Sequence, residues 1–253
     1  MSERPLLTIA YSTLASRVRN IQFPNRHESQ EILVLVQNES ETSYVISEPK
    51  ARLVELKNRG VAKSRNAAID RASGKYLLFA DDDVTFFDSG IEQVINYLEA
   101  NSDCAIVLTR AVDESGSLRK KYAEAVTPLK LTNSARAATY EMVVRVDLIR
   151  EREIRFDESF GAGATFYLGD EYIFIADALR AGLSGVHLPI TIAQHPMESS
   201  GSRWGGRLDL QARSQVFTRV FGWKAPIFRL AFLVRTENKF PGFVRALQFI
   251  FNR

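Results

Sequence analysis

"NRGVAKSRNAAIDRASGKYLLFADDDV", residues 58–84, changes its hydrophobic period halfway along. Between Gly60 and Gly74, residues Val61, Ala62, Ala68, Ile69 and Ala72 recur at helical spacing. That predicts an amphipathic helix with Lys63, Arg65 and Asn66 on its polar face. "KYLLFA" (75–80) is a short apolar run of the kind that forms a buried strand. It delivers the chain to Asp81, Asp82 and Asp83, three carboxylates in a row. Adjacent anions repel, and burying even one is costly unless a cation answers it. A helix, a buried strand and a cluster of acids at the strand's end point to an α/β protein with a site at that end.

The same alternation extends in both directions. "LLTIAY" (6–11), "EILVLVQ" (31–37) and, more weakly, "ARLVELK" (51–57) read as strands before the helix. After the aspartates, "SGIEQVINYLEAN" (89–101) reads as a helix and "CAIVLT" (104–109) as a strand. Alternating strands and helices imply a doubly wound, mostly parallel sheet, in which ligands bind beyond the carboxyl ends of the strands. From Arg110 to Thr139 the pattern weakens, which predicts a mobile excursion over a substrate. "YEMVVRVDLI" (140–149) resumes as a strand with Asp147 capping a short helix, and a helix is expected from Asp170 to Gly182. "GVHLPITIAQHP" (185–196) gives a final strand. There is no internal repeat.

Bulk properties set the limits. The 253 residues are 45% hydrophobic and 25% charged, as expected of one soluble α/β domain with an appendage. A single cysteine, Cys104, allows no internal disulfide and fits a reducing compartment. "MSERPLLTIAYS" does not read as a signal peptide, and no apolar run reaches the roughly 18 residues that span a bilayer. A cytoplasmic protein is expected, free or peripheral on the inner face of the cytoplasmic membrane. The net charge of +3 is uneven: residues 201–253 hold eight Arg and two Lys against Asp209 and Glu237, leaving 1–200 at −5. This shift predicts a boundary near 200, dividing a larger domain, with halves 1–110 and 111–200, from a basic helical tail (201–253).

Three constellations can carry chemistry. Asp81 and Asp83 form a D-x-D at a strand end, suited to a hard divalent cation whose shell is completed by phosphates and water, although such a turn can also be merely solvated. Asp170 and Glu171 begin a helix, where the macrodipole favours anions, and follow "GAGATF", whose glycines allow close backbone approach. A general base or ordinary first-turn acids both fit that position. His195 follows the last strand and would complete a metal shell if it faced the aspartates.

In this order the motifs resemble the inverting family 2 glycosyltransferases of the GT-A fold, over about 200 residues from "LLTIAYSTL" to "QHPMESSG". "NRGVAKSRNAAIDRASGKYLLFADDDV" is similar to the family's Gly-x-x-x-x-Arg-Asn segment and its D-x-D. "FDESFGAGATFYLGDEYIF" (156–174) is similar to the glycine loop and acidic pair that hold the base. The resemblance implies Mn²⁺ or Mg²⁺ on Asp83, with Asp81 sharing it or lying near the ribose, and His195 closing the metal site. It implies a nucleotide-sugar donor near Tyr11, Ser12, Gln37, Asn38, Arg65, Asp81 and Asp82, Arg65 lying near the base or the diphosphate. Glu171 stands in the place of the base, with Asp170 next to it, and Gly161, Gly163 and Gly169 line the acceptor side. The acceptor implied is a glycan or lipid-linked glycan in bacterial surface-polysaccharide, O-antigen or capsule biosynthesis, and a homodimer is compatible with it.

Two departures from the family pattern matter. Where relatives show an Asp-Asp-Gly-Ser-like turn after the second strand, this chain has "VQNES", which leaves UDP, dTDP and GDP donors open. The acidic pair is Asp-Glu rather than Glu-Asp, so the choice between Glu171 and Asp170 stays open. Rival readings are weaker. "FADDDVT" also fits a haloacid-dehalogenase-type phosphatase with Asp81 as nucleophile, Asp83 as acid and Thr85 orienting, but that class needs an acid four residues after Asp170, where Phe174 stands. A Rossmann dehydrogenase lacks its glycine fingerprint. A non-catalytic assembly partner would not need to keep these acids.

The tail mixes aromatics with arginine. Phe217, Phe221, Phe228 and Phe232 are expected to share one apolar face, broken at Pro226 and Pro241. Such helices suit an anionic membrane surface, or pack on the catalytic domain or a second subunit. Nucleic-acid binding is not expected, since the basic residues come without a recognised module.

Overall fold

The structure is a computed structural model that describes residues 4–25, 29–197, 206–235 and 242–251. Strands β1 (Leu7–Leu14), β2 (Gln30–Gln37) and β3 (Arg52–Leu56) lead into helix α1 (Val61–Arg71) and β4 (Tyr76–Asp81). A two-residue strand β5 (Thr85–Phe86), helix α2 (Asp88–Ala100), β6 (Cys104–Val112) and a two-residue β7 (Thr127–Pro128) follow. Then come β8 (Met142–Arg145), α3 (Val146–Glu151), α4 (Asp170–Arg180) and β9 (Ser184–Gln194). The tail forms α5 (Arg207–Phe221), α6 (Ala225–Arg235) and α7 (Phe243–Phe251).

One nine-stranded sheet runs β3-β2-β1-β4-β8-β6-β9-β5, with β7 also on β9. β3, β2, β1 and β4 are parallel, as alternation with helices requires. β8 enters antiparallel to both β4 and β6 and joins this half to the parallel pair β6–β9. β1 is buried on both faces: Leu7, Ile9 and Tyr11 join the core layer shared with α2, and Ala10 joins the layer shared with α1, α3 and α4. A third apolar cluster lies between α4 and α5, where Tyr172, Ile173 and Ala176 meet Val216 and Val220.

Some local expectations change. α3 begins at Val146 with Arg145 as its cap residue, so Asp147 is not the cap; it sits in the first turn and pairs with Arg4 at 2.9 Å. The excursion after β6 is tied down: Tyr122 donates to Glu141 Oε1 at 2.6 Å, Lys120 Nζ lies 2.6 Å from Glu141 Oε2, and Arg119 reaches the Tyr140 hydroxyl. Phe217, Phe221, Phe228 and Phe232 share a face as expected, but that face points into the tail bundle. The Phe221 and Phe228 rings stack 3.6 Å apart, and Phe249 of α7 lies 6.0 Å from both Phe217 and Phe232.

Candidate active site

The site lies where β4 and β9 end and where α1 and α4 begin. α1 starts after Gly60, whose φ of 132° belongs to glycine, and its first backbone N–H is capped by the Ala162 carbonyl at 2.9 Å. The glycine loop is thereby fastened to α1. Gly161, at φ 95°, lies so close to α4 and α1 that a Cβ there would stand 2.8 Å from both the Asp170 carboxyl and Val61. Gly163 packs against Gly60, and Gly169 turns the chain into α4 against Val216. All three glycines thus serve close packing around the acids.

Arg65 organises the centre. It is 5% exposed, and one Nη approaches both Asp170 Oδ2 and, at 3.2 Å, Glu171 Oε1. The other Nη lies 3.5 Å from Asp81 Oδ1. One guanidinium therefore joins the aspartate turn to an acidic pair more than a hundred residues away in the chain. Thr139 donates to Glu171 Oε1 at 2.7 Å. Burial works against charge on Glu171, but Arg65 and Thr139 outweigh it and hold the group below its ordinary value. Burial, then the neighbouring Glu171 charge, pushes Asp170 up despite Arg65. The pair is thus biased toward a neutral Asp170 beside an ionised Glu171. The Glu171 side chain is 20% exposed and that of Asp170 only 3%, so Glu171 is the more accessible of the two.

The three aspartates have separate surroundings. Asp82 is 6% exposed, accepts from Thr13 at 2.6 Å and pairs with Arg17 at 2.5 Å. Asp83 is open on one side, 3.2 Å from Arg17 and 3.2 Å from His195 Nε2. His195 stacks on Tyr140, 4.5 Å between ring centroids, and its Nδ1 sits 2.7 Å from the Pro196 carbonyl. A carbonyl only accepts, so Nδ1 must carry a hydrogen. In the neutral ring, Nε2 therefore keeps its lone pair toward Asp83. One imidazole nitrogen and one carboxylate oxygen are thus what the protein would offer a cation at this point. Among the described residues there is no cluster of three His, Cys, Asp or Glu able to hold a metal ion. The remaining shell would have to come from phosphate oxygens and water.

Other expected residues are near the cleft but engaged within the fold. Tyr11 is fully buried, with its hydroxyl donating to the Gln22 carbonyl at 3.3 Å and its ring edge on Phe23. Ser12 accepts from Ser64 at 2.9 Å. Gln37 Oε1 accepts from the Gly60 N–H at 2.7 Å, and the Asn38 amide holds Thr42 through 2.8 and 3.0 Å bonds. Thr85 donates to Gln22, and Phe174 is fully buried, so the phosphatase arrangement is not built here. The aspartate turn also gathers Thr13 and Arg17, and Tyr140 and Thr139 approach from before β8, none of which sequence reasoning named. Arg17, in "ASRVRN" directly after the first strand, was the one with a readable signal.

Residues 24–156, just over half of the chain, match the Glycosyl transferase family 2 domain. An uncharacterized glycosyltransferase of Rickettsia bellii is 28% identical over 106 residues, 40% of this chain and 15% of that protein. One of Rickettsia felis is 32% identical over 81 residues, 30% of this chain and 14% of its own. The chain thus spans about a seventh of the length of these relatives. In structure it is similar to S. aureus TarS 1–349 in complex with UDP-GlcNAc, with a TM-score of 0.56 at 13% identity, covering 97% of this chain and 70% of that one. The complex of the same protein with UDP gives 0.57 at 13% identity, covering 97% and 69%. With its sheet, its glycine loop and its family 2 domain accounted for together, the chain belongs to glycosyl transferase family 2 of the GT-A fold.

Proposed function

We propose that the protein transfers a sugar from a nucleoside-diphosphate donor to a hydroxyl of a glycan or lipid-linked glycan, with inversion, in surface-polysaccharide synthesis. The observation that carries this reading is the convergence of Asp81–Asp83, His195 and the Asp170–Glu171 pair on one site, with Arg65 joining Asp81 to the acidic pair and His195 reaching Asp83. Glu171 takes the proton of the acceptor hydroxyl. The freed oxygen attacks the anomeric carbon, and the bond to the diphosphate breaks on the opposite face, its electron pair passing to the diphosphate oxygen. Burial raises Asp170, whereas Arg65 and Thr139 lower Glu171, which biases the negative charge of the pair toward Glu171.

Asp83 and His195 would hold Mn²⁺ or Mg²⁺, which supplies positive charge to the departing diphosphate. Arg65 steadies Glu171 and Asp81, and Arg17 fixes the turn through Asp82. TarS, the structural neighbour, forms complexes with UDP and UDP-GlcNAc, which favours UDP over dTDP and GDP here.

Thermal-shift titration of UDP, dTDP and GDP, with and without Mn²⁺, tests donor class and metal together, since a ligand of the folded state raises its stability as RT ln(1 + [L]/Kd). A metal-dependent shift with one nucleotide, lost in Asp83→Ala but kept in Glu171→Gln, is expected. No shift with any nucleotide would sink the proposal.

A further inference from the structure

The tail carries a second apolar face that the core does not use. α5 faces α4 through Val216 and Val220 and faces α6 and α7 through Phe217 and Phe221. Arg229 binds the three helices, donating to the carbonyls of Ser214 and Ile250 and to Thr218. α6 and α7 form the outer layer, and their far sides are also apolar. Trp223, in the turn just before α6, is 83% exposed, and Ile227, Leu230 and Val234 follow on α6 at spacings of three and four along one stripe. On α7, Phe243, Val244, Leu247 and Phe251 are exposed in the same way. Eight bulky apolar side chains on two adjacent short segments exceed what scattered surface residues explain.

Charge identifies the occupant. Residues 222–235 and 242–251 contain no Asp or Glu, while Lys224, Arg235 and Arg245 are exposed among the apolar side chains. Lys224 lies 5.2 Å from the Trp223 ring. An indole flanked by a lysine, placed just before a helix with an exposed apolar stripe, is the composition of an interfacial anchor. Among the described residues no helix is long and apolar enough to cross a membrane. At 11 residues, α6 is about 16 Å long, roughly half the hydrocarbon thickness, so it can lie in an interface but not span it.

We infer that the outer face of α6 and α7 is a docking surface for an anionic lipid bilayer, with the apolar stripes in the acyl boundary and the basic side chains at the headgroups. This goes beyond the transferase reading and does not depend on it. The bundle that would sit on the lipid is packed on α4, the helix that begins with Asp170 and Glu171.

The test uses the whole chain with Trp204→Phe, which leaves Trp223 as the single indole. Flotation with phosphatidylcholine vesicles containing about a third phosphatidylglycerol should recover the protein, and pure phosphatidylcholine vesicles should not. Trp223 fluorescence should move to the blue and be quenched by brominated acyl chains. Ile227→Ser with Leu230→Ser, and separately Lys224→Glu with Arg235→Glu, should each weaken vesicle binding at least tenfold. Because these side chains point outward, the thermal midpoint and nucleotide-induced shift should stay as in the parent.

Absence of vesicle binding overturns the inference. So does a concentration-dependent dimer, seen by sedimentation equilibrium, that the serine variants dissolve while vesicle binding is unchanged. Failure of the transferase reading would show separately, as loss of the nucleotide response with vesicle binding intact.

Discussion

Arg65 is a buried cation facing three carboxylates, and its removal leaves them without an answering charge. Breaking a buried ion pair from one side costs about 3–5 kcal/mol, because the remaining charge stays in a low dielectric. Arg65→Met is expected to cost that much at neutral pH. The loss should depend on pH with a definite sign. Burial already raises Asp170 and Asp81, and without Arg65 all three acids rise above their unfolded values. The folded variant then holds more protons than its unfolded chain, so its stability falls as pH climbs from the ordinary carboxylate range through the raised values. Urea unfolding at acid, neutral and mildly alkaline pH should show a deficit that shrinks on acidification; a deficit that grows on acidification contradicts this account. Glu171→Gln keeps shape and hydrogen bonds but removes the carboxylate proposed as the base. It should lower kcat about 10²–10⁴-fold with little change in donor affinity, read by steady-state transfer kinetics.

Helix α4 is held at its start by two tight glycines. A Cβ at Gly169 would run into Val216 of α5, and its φ of 94° is one that L side chains avoid. Gly169→Ala should cost about 1–3 kcal/mol in chemical unfolding. Adding Val216→Ala, which removes the colliding methyl groups, should return part of that cost in a double-mutant cycle. Strict additivity would mean the contact is not the cause. Gly161→Ala, at a φ of 95°, carries the same backbone strain and also places its methyl 2.8 Å from the Asp170 carboxyl and from Val61. It should therefore lower both stability and transfer, with transfer falling by more than in Gly169→Ala of similar stability, which paired unfolding and kinetic measurements can separate.

At the scale of the molecule, the tail is bound to the rest of the fold by the cluster between α4 and α5. Arg229, 2% exposed, ties its three helices together through backbone carbonyls and Thr218. Arg229→Met should leave those acceptors unmet. Hydrogen exchange should then show loss of protection in α5–α7 while β1 to β4 stay protected. Loss spread evenly over the sheet would mean that tail and sheet unfold as one unit.

The helix–strand alternation of residues 6–109 was legible because hydrophobic period is a local property, and the runs around Ile9, Leu33 and Leu78 are too apolar for anything but a two-sided core. The acidic pair and the D-x-D were legible too, as short motifs within single segments. The antiparallel entry of β8 was not, because a four-residue strand has no sequence mark of direction; hydrogen bonding to β4 and β6 sets it. Nor was the partnership of Arg65 with Asp170 and Glu171, since charges that far apart in the chain meet only after the sheet closes. The tail shows the same limit. Its aromatic spacing announced one apolar face, but helices apolar on two sides look alike in sequence until packing chooses which side to bury. Sequence alone determined the fold class and the identity of the acids. Tertiary structure decided which acid is open, which cation neutralises them and which aromatic face is left outside, because each follows from contacts between segments that local pattern does not encode.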